Sequence, residues 1–208
     1  MLAASWSQLC HGLGVSEARC DAVWRDIITA YGEPQRHYHG LSHIEAVVDQ
    51  AAQRRGLFND PDTALLALFF HDIVYDPARH DNEAQSAVAL RDSLPEIDEA
   101  RLGRACGHIL ATQGHEHQED DDTNLVLDID MAILGAPWDA YRAYAEGVWR
   151  EYLPVYGAEA YARGRVELFL KPTLQRDHLF LTDGFTSLED QARRNLRDEI
   201  DLWASGGF

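Results

Sequence analysis

The chain has 208 residues, 46% of them hydrophobic and 25% charged, which is typical of a single globular domain spanning residues 1–208. Its net charge of −17 at pH 7 argues against nucleic acid or an anionic membrane as a general partner. The same charge means that an anionic substrate would need a local cation, either a metal ion or an arginine. No apolar run approaches the roughly 20 residues that a membrane-spanning helix needs.

The cysteines and the first residues of the chain predict a cytoplasmic protein. Cys10, Cys20 and Cys106 lack the spacing of a metal site, and an odd number of cysteines favours reduced, buried thiols. The first residues lack the basic segment and the long apolar segment of a signal peptide.

Helical patterns lead from the start of the chain to a first inward-facing histidine. Residues 1–15 predict a loosely helical arm ahead of a core at roughly residues 20–205. Apolar residues at helical spacing predict a helix over residues 16–31. The next amphipathic pattern places His43 at the start of a helix, on the face shared with Val47, so His43 is expected to point inward.

Residues 64–72, with the sequence ALLALFFHD, predict the central helix of the fold. The helix begins at an N-cap aspartate and a first-turn proline, residues 60–61, and stops before the next proline after about four turns. A helix that is apolar on nearly every face is buried, so His71 and Asp72 should lie at its inner end. A buried carboxylate there needs a hydrogen-bonding partner or a metal ion. An imidazole–carboxylate contact that closes the helix is the alternative to a metal site.

Further helical patterns follow, and no alternating pattern predicts a strand. Helices are expected from about residues 81, 98, 125, 137, 164 and 187. The sequence therefore predicts an all-α fold, a single-domain helical bundle.

Four side chains on these helices share metal-binding chemistry. They are His43, His71, Asp72 and one aspartate of the pair Asp128 and Asp130. Two imidazoles and two carboxylates suit a borderline divalent ion such as Mn, Fe, Co, Ni or Zn. Such a set leaves positions for water and substrate, as a catalytic site requires.

The order His…His-Asp…Asp on a helical scaffold resembles the HD-domain superfamily of metal-dependent phosphohydrolases. The resemblance covers roughly residues 20–205. Within the superfamily, the chain resembles one bacterial branch of predicted HD phosphohydrolases. The strings that carry it are RHYHGLSH at 36–43, FHDIVYDP at 70–77, DNE at 81–83 and LDID at 127–130. Four such elements in order are far more specific than the His-Asp dipeptide alone.

The resemblance implies an activity and a set of ligands. His43, His71, Asp72 and Asp130 would bind a divalent ion (Mn, Fe, Co, Ni, Zn or Mg), because HD proteins with an Asp-x-Asp string here usually coordinate through the second aspartate. Asp128 would support the site, or the two aspartates would exchange roles. The implied activity is hydrolysis of a small phosphate ester, such as a nucleotide, by metal-activated water.

Three further residues have two interpretations each. Glu83 is either a general base or a charge favoured at a helix N-terminus. Arg36 is either a bidentate phosphate clamp or a surface salt-bridge partner. His39 either touches the substrate or braces the start of the helix. Asp72 is expected to be both a ligand and an orienter of the attacking water.

Two loop histidines raise the question of a second metal ion. Some HD proteins add two histidines between the His-Asp pair and the final aspartate, and His80 and His115 are candidates for those positions. The alternative is that both are solvated loop residues.

Two other functional classes fit the same residues. A dinuclear-metal oxygenase on this scaffold would show two irons and oxygen consumption. The intact set of His43, His71, Asp72 and Asp130 argues against the other class, a non-catalytic ligand-binding module. The predicted partner is a small phosphorylated molecule. The substrate, the native metal and the oligomeric state are left open by the sequence.

Overall fold

A computed structural model of the chain describes residues 2–208, and the fold is all-α, as predicted. No β-strand occurs among these residues. The α-helices of residues 2–208 are α1 (Leu2–Gly12), α2 (Glu17–Tyr31), α3 (Leu41–Gln53), α4 (Pro61–Phe70), α5 (Asn82–Ser93), α6 (Glu99–Ala111), α7 (Asp121–Met131), α8 (Trp138–Tyr156), α9 (Ala158–Gly164), α10 (Lys171–Leu174) and α11 (Glu189–Ala204). Short 3-10 turns lie at Arg55–Leu57, Ala132–Gly135 and Asp183–Leu188, and a π-helical turn lies at Arg165–Leu170.

The chain groups into two compact units, Met1–Ile129 and Asp130–Phe208, with the boundary inside α7. The sequence predicted one domain, and whether the two units form one folding domain stays a prediction. All helices from α1 to α6 lie in the first unit. Helices α8 to α11 lie in the second unit. None of the helices of residues 2–208 combines the length and the apolar character needed to cross a membrane.

Helix α4 is the centre of the first unit, as the sequence predicted. It packs against α1, α3, α5 and α6. Its last five residues are completely buried, because every face of the helix meets a neighbour. The Asp60 side chain caps the helix by accepting from the Thr63 backbone N–H at 3.2 Å, and Pro61 occupies the first turn. The helix ends at Phe70 and is shorter than the four turns expected.

Helix α1 is part of the core, which differs from the loosely helical arm expected for residues 1–15. Trp6 is 1% exposed, and its ring packs edge-on against Phe69 at a centroid distance of 5.1 Å. Its indole N–H donates to the Cys20 carbonyl oxygen at 3.0 Å. Trp6, Leu9 and Cys10 are spaced by three and one residues, which places them on one buried face.

The second unit contains a buried ion pair between Arg165 and Glu199. Arg165 donates to both carboxylate oxygens of Glu199, at 2.9 and 3.1 Å, and Glu199 is fully buried. Tyr141 and Trp203 also donate to this carboxylate. Burial alone would raise the pKa of Glu199, but Arg165 and the hydrogen bonds hold it below its ordinary value. The pair therefore stays charged inside the unit.

Candidate metal centre

The start of α3 places His43 inside the first unit. Gly40 is the N-cap residue, and a Cβ added to it would lie 3.2 Å from the Tyr31 carbonyl oxygen, a tight contact that favours glycine where the connection passes α2. His43 follows on the face of the helix that also buries Val47, and its side chain is 2% exposed. The inward orientation predicted for His43 is confirmed.

The end of α4 places His71 and Asp72 next to each other. His71 is the residue that caps the helix, and its Nδ1 lies 2.9 Å from the Leu68 carbonyl oxygen. A carbonyl can only accept, so Nδ1 carries the proton and donates to Leu68. In the neutral ring Nε2 is then left as the atom with a lone pair. The free Leu68 carbonyl oxygen at the end of α4 thus fixes the His71 tautomer that can bind a metal ion through Nε2.

Three ligand atoms converge within 4.8 Å of one another: one nitrogen each of His43 and His71, and one carboxylate oxygen of Asp72. The two Nε2 atoms are 3.0 Å apart. Asp72 Oδ2 lies 3.1 Å from the His71 Nε2 and 3.8 Å from the His43 Nε2. The His71 side chain is 1% exposed and that of Asp72 is 15% exposed, so the cluster is buried on the histidine side and reaches solvent through the aspartate.

The spacing of these atoms fits one divalent ion. Two imidazole nitrogens bound at about 2.0–2.1 Å to one metal, at angles of about 90–110°, lie roughly 2.9–3.4 Å apart. The observed 3.0 Å between the His43 and His71 Nε2 atoms falls in that range. Because the His71 Nε2 offers only a lone pair, a hydrogen bond between the two rings in the absence of an ion would require the His43 Nε2 to carry a proton and donate it. The cluster therefore could hold a metal, and its donor set is the one predicted for three of the four ligands.

The two aspartates of α7 divide between the two units. Asp128 belongs to the first unit and is 1% exposed. Asp130 is the first residue of the second unit and is partly exposed. Within that unit burial raises the pKa of Tyr144, and the Asp130 carboxylate adds to the increase. The choice between Asp128 and Asp130 as the fourth ligand stays a prediction.

Arg36 is a buried arginine next to the candidate metal ligands. It does form a salt bridge, with Glu33 at 2.9 Å, but its own side chain is 1% exposed, so the arginine is buried rather than on the surface. Its Nη1 donates to the carbonyl oxygen of Asp72 and its Nη2 to that of Ile73, the latter at 3.0 Å. The guanidinium therefore binds backbone carbonyl oxygens in the turn after α4, and whether it also contacts a phosphate stays a prediction.

Aromatic rings surround His43. The His39 ring stacks on the Tyr75 ring at a centroid distance of 4.3 Å, and the Tyr38 ring lies 4.9 Å from the His43 ring. The bracing role that the sequence offered for His39 at the start of the helix stays a prediction. Whether His39 also touches a substrate stays a prediction.

Glu83, His80 and His115 lie outside the three-residue cluster. Glu83 is in the first turn of α5, where the helix dipole favours a negative charge. His80 is exposed, and its carbonyl oxygen accepts from the Gln113 side chain at 2.9 Å. His115 has a positive φ of 49°, in the loop after α6. The general-base role of Glu83 and the second metal ion stay predictions.

Tyr31 is a residue that the sequence marked only as an apolar helix position. Its hydroxyl donates to the Phe69 carbonyl oxygen and accepts from the Asp72 backbone N–H, both at 3.2 Å. It is 2% exposed. The sequence held one signal for this role, because the hydroxyl of a buried tyrosine needs a hydrogen-bonding partner. It did not indicate which backbone groups would be the partners.

Comparison of the chain with protein-family models, curated proteins and solved structures found no match in any of the three. The resemblance to the HD-domain superfamily therefore rests on the sequence strings alone and stays a prediction.

Proposed function

We propose that this protein is a metal-dependent phosphohydrolase that acts on a small phosphate ester such as a nucleotide. The observation that carries the proposal is the convergence of His43, His71 and Asp72 ligand atoms within 4.8 Å. The order of these residues along the chain, in a helical fold, supports hydrolysis over other metal chemistry through the HD resemblance.

The donor set supports a catalytic site for a divalent ion. His43, His71 and Asp72, which all belong to the first unit, would hold the ion. Three protein ligands leave coordination positions for water and substrate. When bound, such an ion lowers the pKa of a coordinated water and polarises a phosphoryl oxygen.

Two residues of the cluster suggest from which side the substrate arrives and how the attacking water is oriented. Asp72 is the cluster member that reaches solvent, so substrate is expected to arrive on its side. Its carboxylate can accept a hydrogen bond from the attacking water and orient it. His71 keeps its tautomer through Leu68, so its ligand nitrogen stays directed at the centre. With a net charge of −17, the protein needs a cation here to attract a phosphate.

The proposal is tested by hydrolysis assays on protein stripped with a chelator and reloaded separately with Mn, Fe, Co, Ni, Zn or Mg. Nucleotides, a chromogenic phosphate ester and pyrophosphate serve as substrates. We expect phosphate release that depends on the metal and disappears after chelation. The exposed His178 gives a matched control, since His178→Ala should keep the full rate. Oxygen consumption without phosphate release would instead favour the oxygenase, and the absence of turnover with every metal would contradict the proposal.

A further inference from the structure

The turn that follows α4 is held by its own hydrogen bonds and by side chains that precede α3 in the chain. Helix α4 ends at Phe70, which leaves its last carbonyl groups without helical partners. The Leu68 oxygen accepts from His71, the Phe69 oxygen accepts from Tyr31, and the Phe70 oxygen accepts from the Ile73 N–H at 3.1 Å. Every one of these contacts fixes the backbone close to the candidate ligands.

Asp72 itself is held at both of its backbone groups. Its N–H donates to the Tyr31 hydroxyl, and its carbonyl oxygen accepts from Arg36 Nη1. Arg36 Nη2 binds the next carbonyl, that of Ile73. With both peptide groups fixed, the Cα–Cβ direction of Asp72 is fixed as well, and this direction brings Oδ2 to 3.1 Å from the His71 Nε2.

Arg36 is well placed to serve as the clamp because it is itself immobilised. The guanidinium lies over the Tyr31 ring at 5.1 Å and over the Tyr75 ring at 5.5 Å, and it pairs with Glu33. Arg36 Nη1 also donates to the His39 carbonyl oxygen at 3.3 Å, four residues before His43. One side chain therefore joins the segment that carries Asp72 to the segment that leads into His43.

We propose that Arg36 is a positioning residue of the metal centre, which sets the affinity and the coordination geometry by aligning Asp72 with the start of α3. This inference rests on the proposed metal-dependent function. An arginine is required because its planar fork spans two successive carbonyl oxygens, whereas a lysine offers a single ammonium group. Residues that orient metal ligands through hydrogen bonds typically change metal affinity by about 10- to 100-fold when they are replaced.

The test compares wild type with Arg36→Lys by titrating Co2+ into chelator-treated protein, following the heat of binding and the visible absorption of the bound ion. We expect Arg36→Lys to fold, as judged by circular dichroism, and to bind Co2+ about 10- to 100-fold more weakly. The Co2+ absorption bands should also shift, because they report the ligand geometry and a mere loss of stability would not move them.

The second unit offers a matched control in Arg193. Its guanidinium also donates to backbone carbonyls, those of Leu174, Arg176 and Asp177, and it also pairs with a glutamate, Glu189. Arg193→Lys should lower thermal stability and leave the Co2+ affinity within about twofold, since no metal ligand depends on this clamp.

The outcomes separate the inference from the proposed function. Failure of the wild type to bind Co2+ would overturn the metal proposal, and the inference with it. Wild-type binding combined with unchanged affinity and absorption in Arg36→Lys would overturn the inference alone. If Arg36→Lys does not fold, Tyr31→Phe decides, because it keeps the ring under Arg36 and removes the hydroxyl that binds the Asp72 N–H and the Phe69 carbonyl oxygen of the same turn. We expect a several-fold loss of affinity, and an unchanged value would overturn the inference.

Discussion

Replacing Arg165 with methionine should lower the free energy of unfolding by about 3–5 kcal/mol, because it leaves the Glu199 carboxylate buried without its cation. Glu199 is fully buried, and Arg165 is its bidentate partner. Chemical denaturation at neutral pH measures the loss. Adding Glu199→Gln to the Arg165→Met variant should restore about 1 kcal/mol or more of the free energy of unfolding, because a neutral amide avoids the cost of a buried unpaired charge.

The size of this loss should depend on pH. In the wild type the depressed pKa of Glu199 contributes stability above the ordinary glutamate pKa, and that contribution is lost as the pH falls through the lower folded value. In Arg165→Met the attraction of the guanidinium is gone, and only the Tyr141 and Trp203 hydrogen bonds oppose the effect of burial, so the pKa of Glu199 is higher than in the wild type and the variant loses less stability on acidification. The difference between the two proteins should therefore shrink below about pH 4.5, the ordinary value for glutamate.

An exposed arginine of the same unit provides the control. Arg150 pairs with Glu146 on α8, and its side chain is 54% exposed. Arg150→Met should change the free energy of unfolding by less than about 1 kcal/mol, as is typical of surface pairs. Equal losses in Arg165→Met and Arg150→Met would contradict the account of the buried pair.

Replacing His71 with alanine should reduce the affinity for a divalent ion by more than about a hundredfold, since even residues that only orient ligands cost up to that much. His71 supplies a nitrogen 3.0 Å from the His43 Nε2 and 3.1 Å from Asp72 Oδ2. Removing it leaves one imidazole and one carboxylate, too few to retain an ion through chelation.

Thermal unfolding shows the same effect in a second way. An ion that binds only the folded state stabilises it by about 2.7 kcal/mol when the free ion concentration is about 100 times its Kd. The wild type should therefore unfold at a higher temperature when the metal is added, and His71→Ala should not respond. His178→Ala, at an exposed histidine of the second unit, should respond as the wild type does. A metal-dependent increase of equal size in His71→Ala would show that the ion binds elsewhere.

The features that the sequence predicted well are those set by local pattern. Residues 64–70 are apolar on all sides, so the helix had to be central, and His71 and Asp72 had to follow it inside the fold. His43 shares a helical face with Val47, and that periodicity alone oriented it inward. The pairing of these two segments needed only the expectation that inward faces meet.

The features that the sequence missed depend on contacts between distant parts of the chain. Arg36 binds a carbonyl 36 residues away, and any residue type can supply a backbone carbonyl, so no motif marks the partner. Tyr31 reaches Asp72 across 41 residues for the same reason. Arg165 and Glu199 are 34 residues apart, and in the sequence each looks like an ordinary charged helix residue. Such pairs become visible only when the helices are packed.

The central claim is that His43, His71 and Asp72 together hold a metal ion, and an anomalous difference map from crystals loaded with Zn2+ tests it most directly. We expect one peak about 2.0–2.2 Å from a ring nitrogen of each histidine and from an Asp72 carboxylate oxygen. A map with no peak among these three side chains, at full loading of the crystal, would contradict the claim.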